Sequence, residues 1–341
     1  MDAPVLVADV GGTNLNLALL VREGRRFRLL RKTRYRTQEE GSLLEPLLRF
    51  LAQDASLRPG SACLAGAGPV HAHRIHLTNA PWDIDGAALE AALGIPVQLV
   101  NDFLALSCGV LQLDLTDPDQ VTPLPHEDGS LPQADPQGPI LVVGAGTGLG
   151  VGFIVPTPVG PRAFPSEGGH VGLPVFDDDS LALWQHLGRG LPGPPGAELA
   201  VSGQGLANIF RFLLDTQRVP GTPTAAAILA LPPIEQPGAI SVQAASDPVC
   251  ARAMGLFVDL YARVCADLSL VFLPRGGLFL AGGIPAKNTA HFLDDGRFMA
   301  RFERHYRAHA GGVARATPVH VVRDYDLSLY GAALAPTCTG P

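Results

Sequence analysis

Asp9-Val10-Gly11-Gly12-Thr13-Asn14 puts a carboxylate at the end of an apolar run, two glycines behind it, and a hydroxyl and an amide beyond. Such a turn lets the backbone approach a phosphate chain closely while the carboxylate faces its magnesium. A hairpin turn, in which glycine relieves steric strain, accounts for the same residues. Gly144-Ala145-Gly146-Thr147-Gly148-Leu149-Gly150 repeats the logic in mid-chain. Leu149 breaks the G-x-G-x-x-G spacing, so a Rossmann dinucleotide site is not supported. Asn101-Asp102 ends a third apolar run. Asp102 there either takes a hydroxyl proton as general base or caps a helix beginning near Phe103. Glu167-Gly168-Gly169-His170 suits a polar clamp on a hydroxylated ligand, since the glycines permit close approach. Glu198, just before Ser202-Gly203, reads equally as a solvated helix start. Gly282-Gly283 makes a strand-to-helix turn or a floor for an adenine ring.

These residues need strands to hold them. Pro4–Val10 and Leu15–Val21 are apolar runs flanking the first glycine pair, which predicts a hairpin. Residues 43–53 and 85–93 have helical character, and 62–67 and 96–102 read as strands. Ile140–Val143 and Val151–Val155 repeat the strand, glycine turn, strand pattern. A long amphipathic helix is expected over 250–272, a strand over 277–284, a strand at 318–323 and a helix at 327–335. Stretches 188–197 and 217–239, crowded with Pro and Gly, read as loops. Alternation of strands and helices predicts an α/β protein, and the recurring pattern predicts two similar domains.

Composition sets limits. The 341 residues exceed one ordinary core, and 47% are apolar against 17% charged, which excludes disorder. Net charge is −7 and no Lys/Arg run stands out, so neither nucleic acid nor an anionic membrane is an expected partner. Residues 139–160 are uncharged, but their glycines and prolines argue against a spanning helix. The start lacks the basic region of a secretory signal. Five scattered cysteines, without a C-x-x-C, read as buried apolar groups in a reducing cytoplasm. Only Lys32 and Lys287 are lysines, and neither lies in a P-loop. Phosphate chemistry is then left to backbone amides, hydroxyls and a metal.

DVGGTN at 9–14, LTN at 77–79, NDF at 101–103, GAGTGLG at 144–150, EGGH at 167–170, SGQGL at 202–206 and LAGGI at 280–284 stand in one order. In that order and approximate spacing the chain resembles the bacterial glucokinases of the actin-like sugar kinase superfamily. The resemblance implies two ribonuclease-H-like (actin-like ATPase) α/β domains around an interdomain cleft. The smaller would hold 1–112 plus 316–341, the larger 113–315. It implies transfer of the γ-phosphate of MgATP to the 6-hydroxyl of glucose, with Asp102 as base. Asn79, Asn101, Asp102, Glu167, His170 and Glu198 would contact the sugar. Asp9, Gly11, Gly12, Thr13 and Asn14 would sit at the phosphates, with Asp9 at the magnesium. Gly146, Thr147 and Gly148 would hold the β- and γ-phosphates, and Gly282 and Gly283 would lie by the adenosine. The chain lacks the cysteine-rich zinc motif of the related repressor/kinase family, so no zinc is expected. The resemblance also implies a cytoplasmic enzyme and allows a homodimer. The loop at 66–71 and the short, proline-rich 185–197 region depart from the family pattern, which leaves Glu198 the loosest assignment. A kinase for another hexose or an N-acetylhexosamine is the nearest alternative. A non-catalytic sugar sensor on the same fold is the other; it would carry an N-terminal helix-turn-helix, for which the position of Asp9 leaves no room.

Overall fold

A computed structural model describes residues 3–54, 56–77, 80 and 82–339. The chain divides into two compact units: Met1–Asp114 with Gly152–Pro165 and Tyr325–Pro341, and Leu115–Val151 with Ser166–Asp324.

The first unit opens with β1 (Val5–Val10), β2 (Asn14–Glu23) and β3 (Arg26–Arg36), followed by α1 (Leu44–Ala52) and β4 (Ser61–Gly66). A small sheet follows from β5 (Val70–His71), β6 (Arg74–Ile75) and β7 (Ile84–Asp85). Then come α2 (Gly86–Leu93), β8 (Val97–Asn101) and α3 (Asp102–Gly109). The main sheet has the order β3-β2-β1-β4-β8, with β1, β4 and β8 parallel. Leu6, Ala8, Val10, Leu15, Leu17 and Leu19 alternate into a core shared with Leu47 and Phe50 of α1, as period-2 strands and a one-sided helix require. The predicted hairpin therefore forms in full.

Basic residues do concentrate in one place, contrary to the sequence reading. β3, RFRLLRKTRYR, is an edge strand carrying Arg26, Arg28, Arg31, Lys32, Arg34 and Arg36. Charge on an open edge discourages pairing with another chain.

The second unit supplies most of a second sheet, whose first strands are β9 (Val121–Pro123), β10 (Ile140–Ala145), β11 (Leu149–Val155) and β12 (Arg162–Ser166), although Gly152–Pro165, most of β11 and β12, is grouped in the first unit. Its helices begin with α4 (Asp178–Leu187), α5 (Gly203–Asp215), α6 (Pro223–Leu229), α7 (Gln236–Gln243) and α8 (Pro248–Phe272). After β13 (Gly277–Ala281) come α9 (Gly283–Lys287), α10 (Thr289–Leu293), α11 (Arg297–Glu303), α12 (Ala308–Arg315) and β14 (Val319–Val322). The sheet order is β12-β11-β10-β13-β14-β9. The loop expected over 217–239 instead holds α6 and the start of α7. Thr222 caps α6 through the Ala225 amide, and Pro223 and Pro237 stand in first turns, where a missing N–H costs nothing. Prolines there start helices rather than break them.

The chain returns to the first unit in α13 (Leu327–Cys338), which lies along α3. Of the two elements expected after 316, the strand thus joins the second sheet, beside β13, and the helix joins the first unit. The two helices meet backbone to backbone: a methyl on Gly331 would overlap the Ala105 carbonyl oxygen, and one on Gly109 would overlap that of Leu327. All five cysteines are buried and free.

Candidate functional site

In the first unit the parallel register sets Asp9 beside Ala65 and Val10 beside Gly66, and one strand further on it sets Ala65 beside Val100 and Gly66 beside Asn101. Asp9 and Asn101-Asp102 therefore share the carboxyl ends of parallel strands, where open α/β sheets take ligands. Asn101, not Asp102, caps α3: its Oδ1 accepts from the Phe103 and Leu104 amides at 3.0 and 3.1 Å. Its Nδ2 donates to the Gly68 carbonyl at 3.2 Å, tying down the loop after β4. Asp102 is thereby relieved of capping and stands at the first helical position, with the Phe103 amide donating to its Oδ1 at 2.8 Å. Burial and the nearby charge of Asp9 push its carboxyl up to about 6, against the pull of the backbone amides.

Asp9 is held from two directions. Ser328 of α13 donates to its Oδ2 at 2.7 Å, and Asn16, opposite it in the ladder, donates as well. Burial raises the Asp9 carboxyl; these donors and the charge of Lys32 restrain the rise. The turn after Asp9 is closed by the Gly11 amide on the Asn14 carbonyl at 2.9 Å. Its own carbonyls are drawn off by the 37–39 segment: Thr37 Oγ1 donates to the Gly11 oxygen at 2.7 Å, and Gln38 Nε2 to the Gly12 oxygen at 3.0 Å. Carbonyls so engaged repel an incoming anion less. Asp9, Gly11, Gly12, Thr13, Asn14, Asn101 and Asp102 thus gather in one unit. Asn79 lies outside the described residues.

The second unit gathers the rest. The Gly146–Gly148 turn closes through the Gly146 amide on the Gly148 carbonyl at 2.9 Å, with Thr147 at its tip. The Gly203 amide, first in α5, docks on the Gly146 carbonyl at 2.8 Å. Gly282 has φ +94°, and a methyl there would overlap the Ala145 carbonyl oxygen, so the Gly282-Gly283 pair lies directly against this turn. Glu198 accepts from the Leu149 amide at 2.7 Å, and a methyl on Gly148 would overlap its Oε2. The Glu167–His170 turn is tied to the same place. Gly169 abuts the Leu149 carbonyl, the Ala197 amide donates to Val171 at 2.7 Å, and Gly172 pairs with Gly196. Glu167 and His170 are exposed and 3.8 Å apart, open to a ligand.

Three residues escaped the sequence reading. Asn16 follows Asn14 by two on the same strand face, a signal that period 2 would have revealed. Arg34 donates from Nε to Asn14 Oδ1 at 2.9 Å, so a cation does stand at the first turn. Ser328, 319 positions from Asp9, left no local signal. Among the described residues no group of three or more His, Cys, Asp or Glu side chains is placed to hold a metal ion. The Asp9–Asp102 neighbourhood offers only two carboxylates, which suits a cation that keeps waters and takes phosphate oxygens, as Mg²⁺ does.

Comparison with known proteins identifies the family. A family model described as glucokinase matches residues 6–337. The chain is 32% identical over 334 residues to a glucokinase of Mesorhizobium japonicum, covering 97% of this chain and 90% of that protein. It is 30% identical over 345 residues to a glucokinase of a Nostoc strain, covering 97% and 98%. The crystal structure of a glucokinase from an Antarctic psychrotroph superposes with TM-score 0.81 at 28% identity, covering 98% of each chain. The fold is that of the actin-like ATPases and sugar kinases. The chain belongs to the glucokinase family, enzymes that phosphorylate glucose with ATP.

Proposed function

We propose that Asp102 is the general base of this glucokinase, taking the proton of the glucose 6-hydroxyl as O6 attacks the γ-phosphorus of ATP. The bond from that phosphorus to the β–γ bridging oxygen breaks, ADP leaves, and glucose 6-phosphate remains. The observation that carries this is the placement of the Asp102 carboxyl, directly after β8 and freed from capping by Asn101, where burial and Asp9 push it up to about 6. A base of that strength is charged at physiological pH yet takes a proton readily. Asn79, Asn101, Glu167, His170 and Glu198 contact the sugar in this reading. The amides of Gly11–Asn14 and of Gly146–Gly148 receive the phosphates, and Gly282-Gly283 lies at the adenosine. Mg²⁺, bound with ATP near Asp9, neutralises phosphate charge. Ser328 and Asn16 fix the Asp9 carboxylate for that task. Five cysteines kept as buried, free thiols support a cytoplasmic enzyme.

A coupled assay across glucose, mannose, fructose and N-acetylhexosamines tests the substrate. Turnover should be greatest with glucose; preference for an N-acetylhexosamine would replace the assignment. The rate profile tests the base. With glucose, kcat/KM should be flat above about pH 7 and fall tenfold per unit below about pH 6, as Asp102 takes its proton. A profile flat down to pH 4.5 removes Asp102 from the role. Glucose without nucleotide should also stabilise the protein, by about 2.7 kcal/mol at a hundredfold excess over Kd. Thermal melts read this directly, and Glu167→Ala should abolish most of the shift.

A further inference from the structure

β3 carries five exposed cations, Arg26, Arg28, Lys32, Arg34 and Arg36. Four meet a carboxylate: Arg26 faces Asp114, Arg28 Glu23, Lys32 Asp326, and Arg36 Glu39. Arg34 differs. Among the described residues no carboxylate pairs with it, and its Nε rests on the neutral amide oxygen of Asn14. That amide belongs to the residue closing the Gly11-Gly12 turn.

The ladder explains the placement. Arg34 stands opposite Asn16, and Asn16 opposite Asp9. Directly opposed residues share a sheet face, so carboxylate, amide and guanidinium form a row across β1, β2 and β3. Two strand spacings, about 10 Å, separate the ends of that row. A strand that pairs four of its five exposed cations with carboxylates and leaves the fifth without one, at a turn suited to phosphates, has an anion still to come, whereas half-buried Arg31 is spent on the Phe50 carbonyl and ring. The neighbouring exposed cations are committed, since Lys32 is bound to Asp326 and Arg36, opposite Asn14, faces Glu39. A guanidinium fork also matches phosphate oxygens better than an ammonium does.

Resting on the reading of this turn as the phosphate site, we propose that Arg34 is a further catalytic residue, whose guanidinium contacts the polyphosphate of ATP and stabilises the charge that builds during transfer. It fills the place that a lysine takes in P-loop enzymes. Phosphate binding in this chain is then not left to amides, hydroxyls and metal alone.

The test is titration of MgADP into the parent protein, Arg34→Gln and Arg34→Lys, followed by steady-state kinetics on each. Glutamine keeps a donor for Asn14 and removes only the charge. Arg34→Gln should weaken MgADP about tenfold and lower kcat about tenfold to a hundredfold, the low end for a charge-stabilising donor because Arg34 is exposed. Its KM for glucose and its Tm should match the parent. Arg34→Lys should lose no more than about threefold in MgADP affinity. MgADP affinity and kcat both within twofold of the parent in Arg34→Gln would overturn the proposal; so would an equal loss in Arg34→Lys. If the parent binds MgADP but phosphorylates no sugar, the glucokinase reading falls while the MgADP comparison still decides the role of Arg34.

Discussion

Asp102→Asn should lower kcat by about 10²–10⁴, the usual worth of a positioned general base, and at the same time make the protein more stable at pH 8. Both effects have one cause. The carboxyl sits at about 6 in the folded chain against an ordinary 3.8, because burial and Asp9 disfavour its charge. A folded value above the unfolded one means that stability is fully present below about pH 3.8 and is lost as pH rises through about 6. At pH 8 the folded protein bears a carboxylate it would hold more easily as an acid. Asparagine, neutral and nearly isosteric, removes that cost, up to about 3 kcal/mol for a shift of this size. Melting curves of parent and variant should therefore diverge above pH 6 and converge at pH 4. A variant that is neither slower nor more stable would show that the Asp102 charge is unimportant to both catalysis and folding. Activity bought with stability in this way is common where a charge must be kept out of water.

Gly331→Ala should be the most damaging single methyl in the first unit. The added carbon would overlap the Ala105 carbonyl oxygen and crowd the Gly109 nitrogen, both main-chain atoms of α3 that no rotamer change can move. Over-packing costs typically about 1–3 kcal/mol. Backbone on both sides puts this site at the top of that range, with a loss of several degrees in Tm. The same change at Gly312 in α12, where the methyl meets nothing within 4 Å, should be neutral or stabilise by up to about 1 kcal/mol. The pair separates crowding from helix propensity. Activity should report it too. Asp102 begins α3, and Ser328 in the first turn of α13 holds Asp9, so helices pushed apart draw the two carboxylates from their places.

Where the contacts are local, the sequence was a good guide. Both strand–glycine turn–strand units are legible because their pairing spans a handful of residues, and α8 because its apolar spacing persists over 25 residues. Proline misled at 217–239, since composition alone does not distinguish a helix start from a break. Spacing left Asp102 as either a base or a helix cap; the Phe103 and Leu104 amides donate to Asn101 instead, a cap the sequence reading did not consider. β3 went unread because its apolar positions are interspersed with arginines, a pattern belonging to a half-exposed edge. Arg34 and Ser328 acquire their meaning only from strand register and from a helix returning across most of the chain.

That return has a temporal side. The second unit, Leu115–Val151 with Ser166–Asp324, is interposed within the first. On a ribosome adding roughly 5–20 residues per second, the stretch between α3 and α13 takes on the order of 10–40 s to emerge. Throughout that interval β1 already has β2 and β4 as neighbours, but the flank of α3 that α13 covers stays open and Asp9 lacks its serine. The nascent chain thus passes through a stage in which the Asp9 carboxylate is incompletely held and α3 is bare at Gly109. A ribosome stalled before residue 327 should hold a protein unable to turn over substrate, with the α3 face that α13 covers left open to solvent.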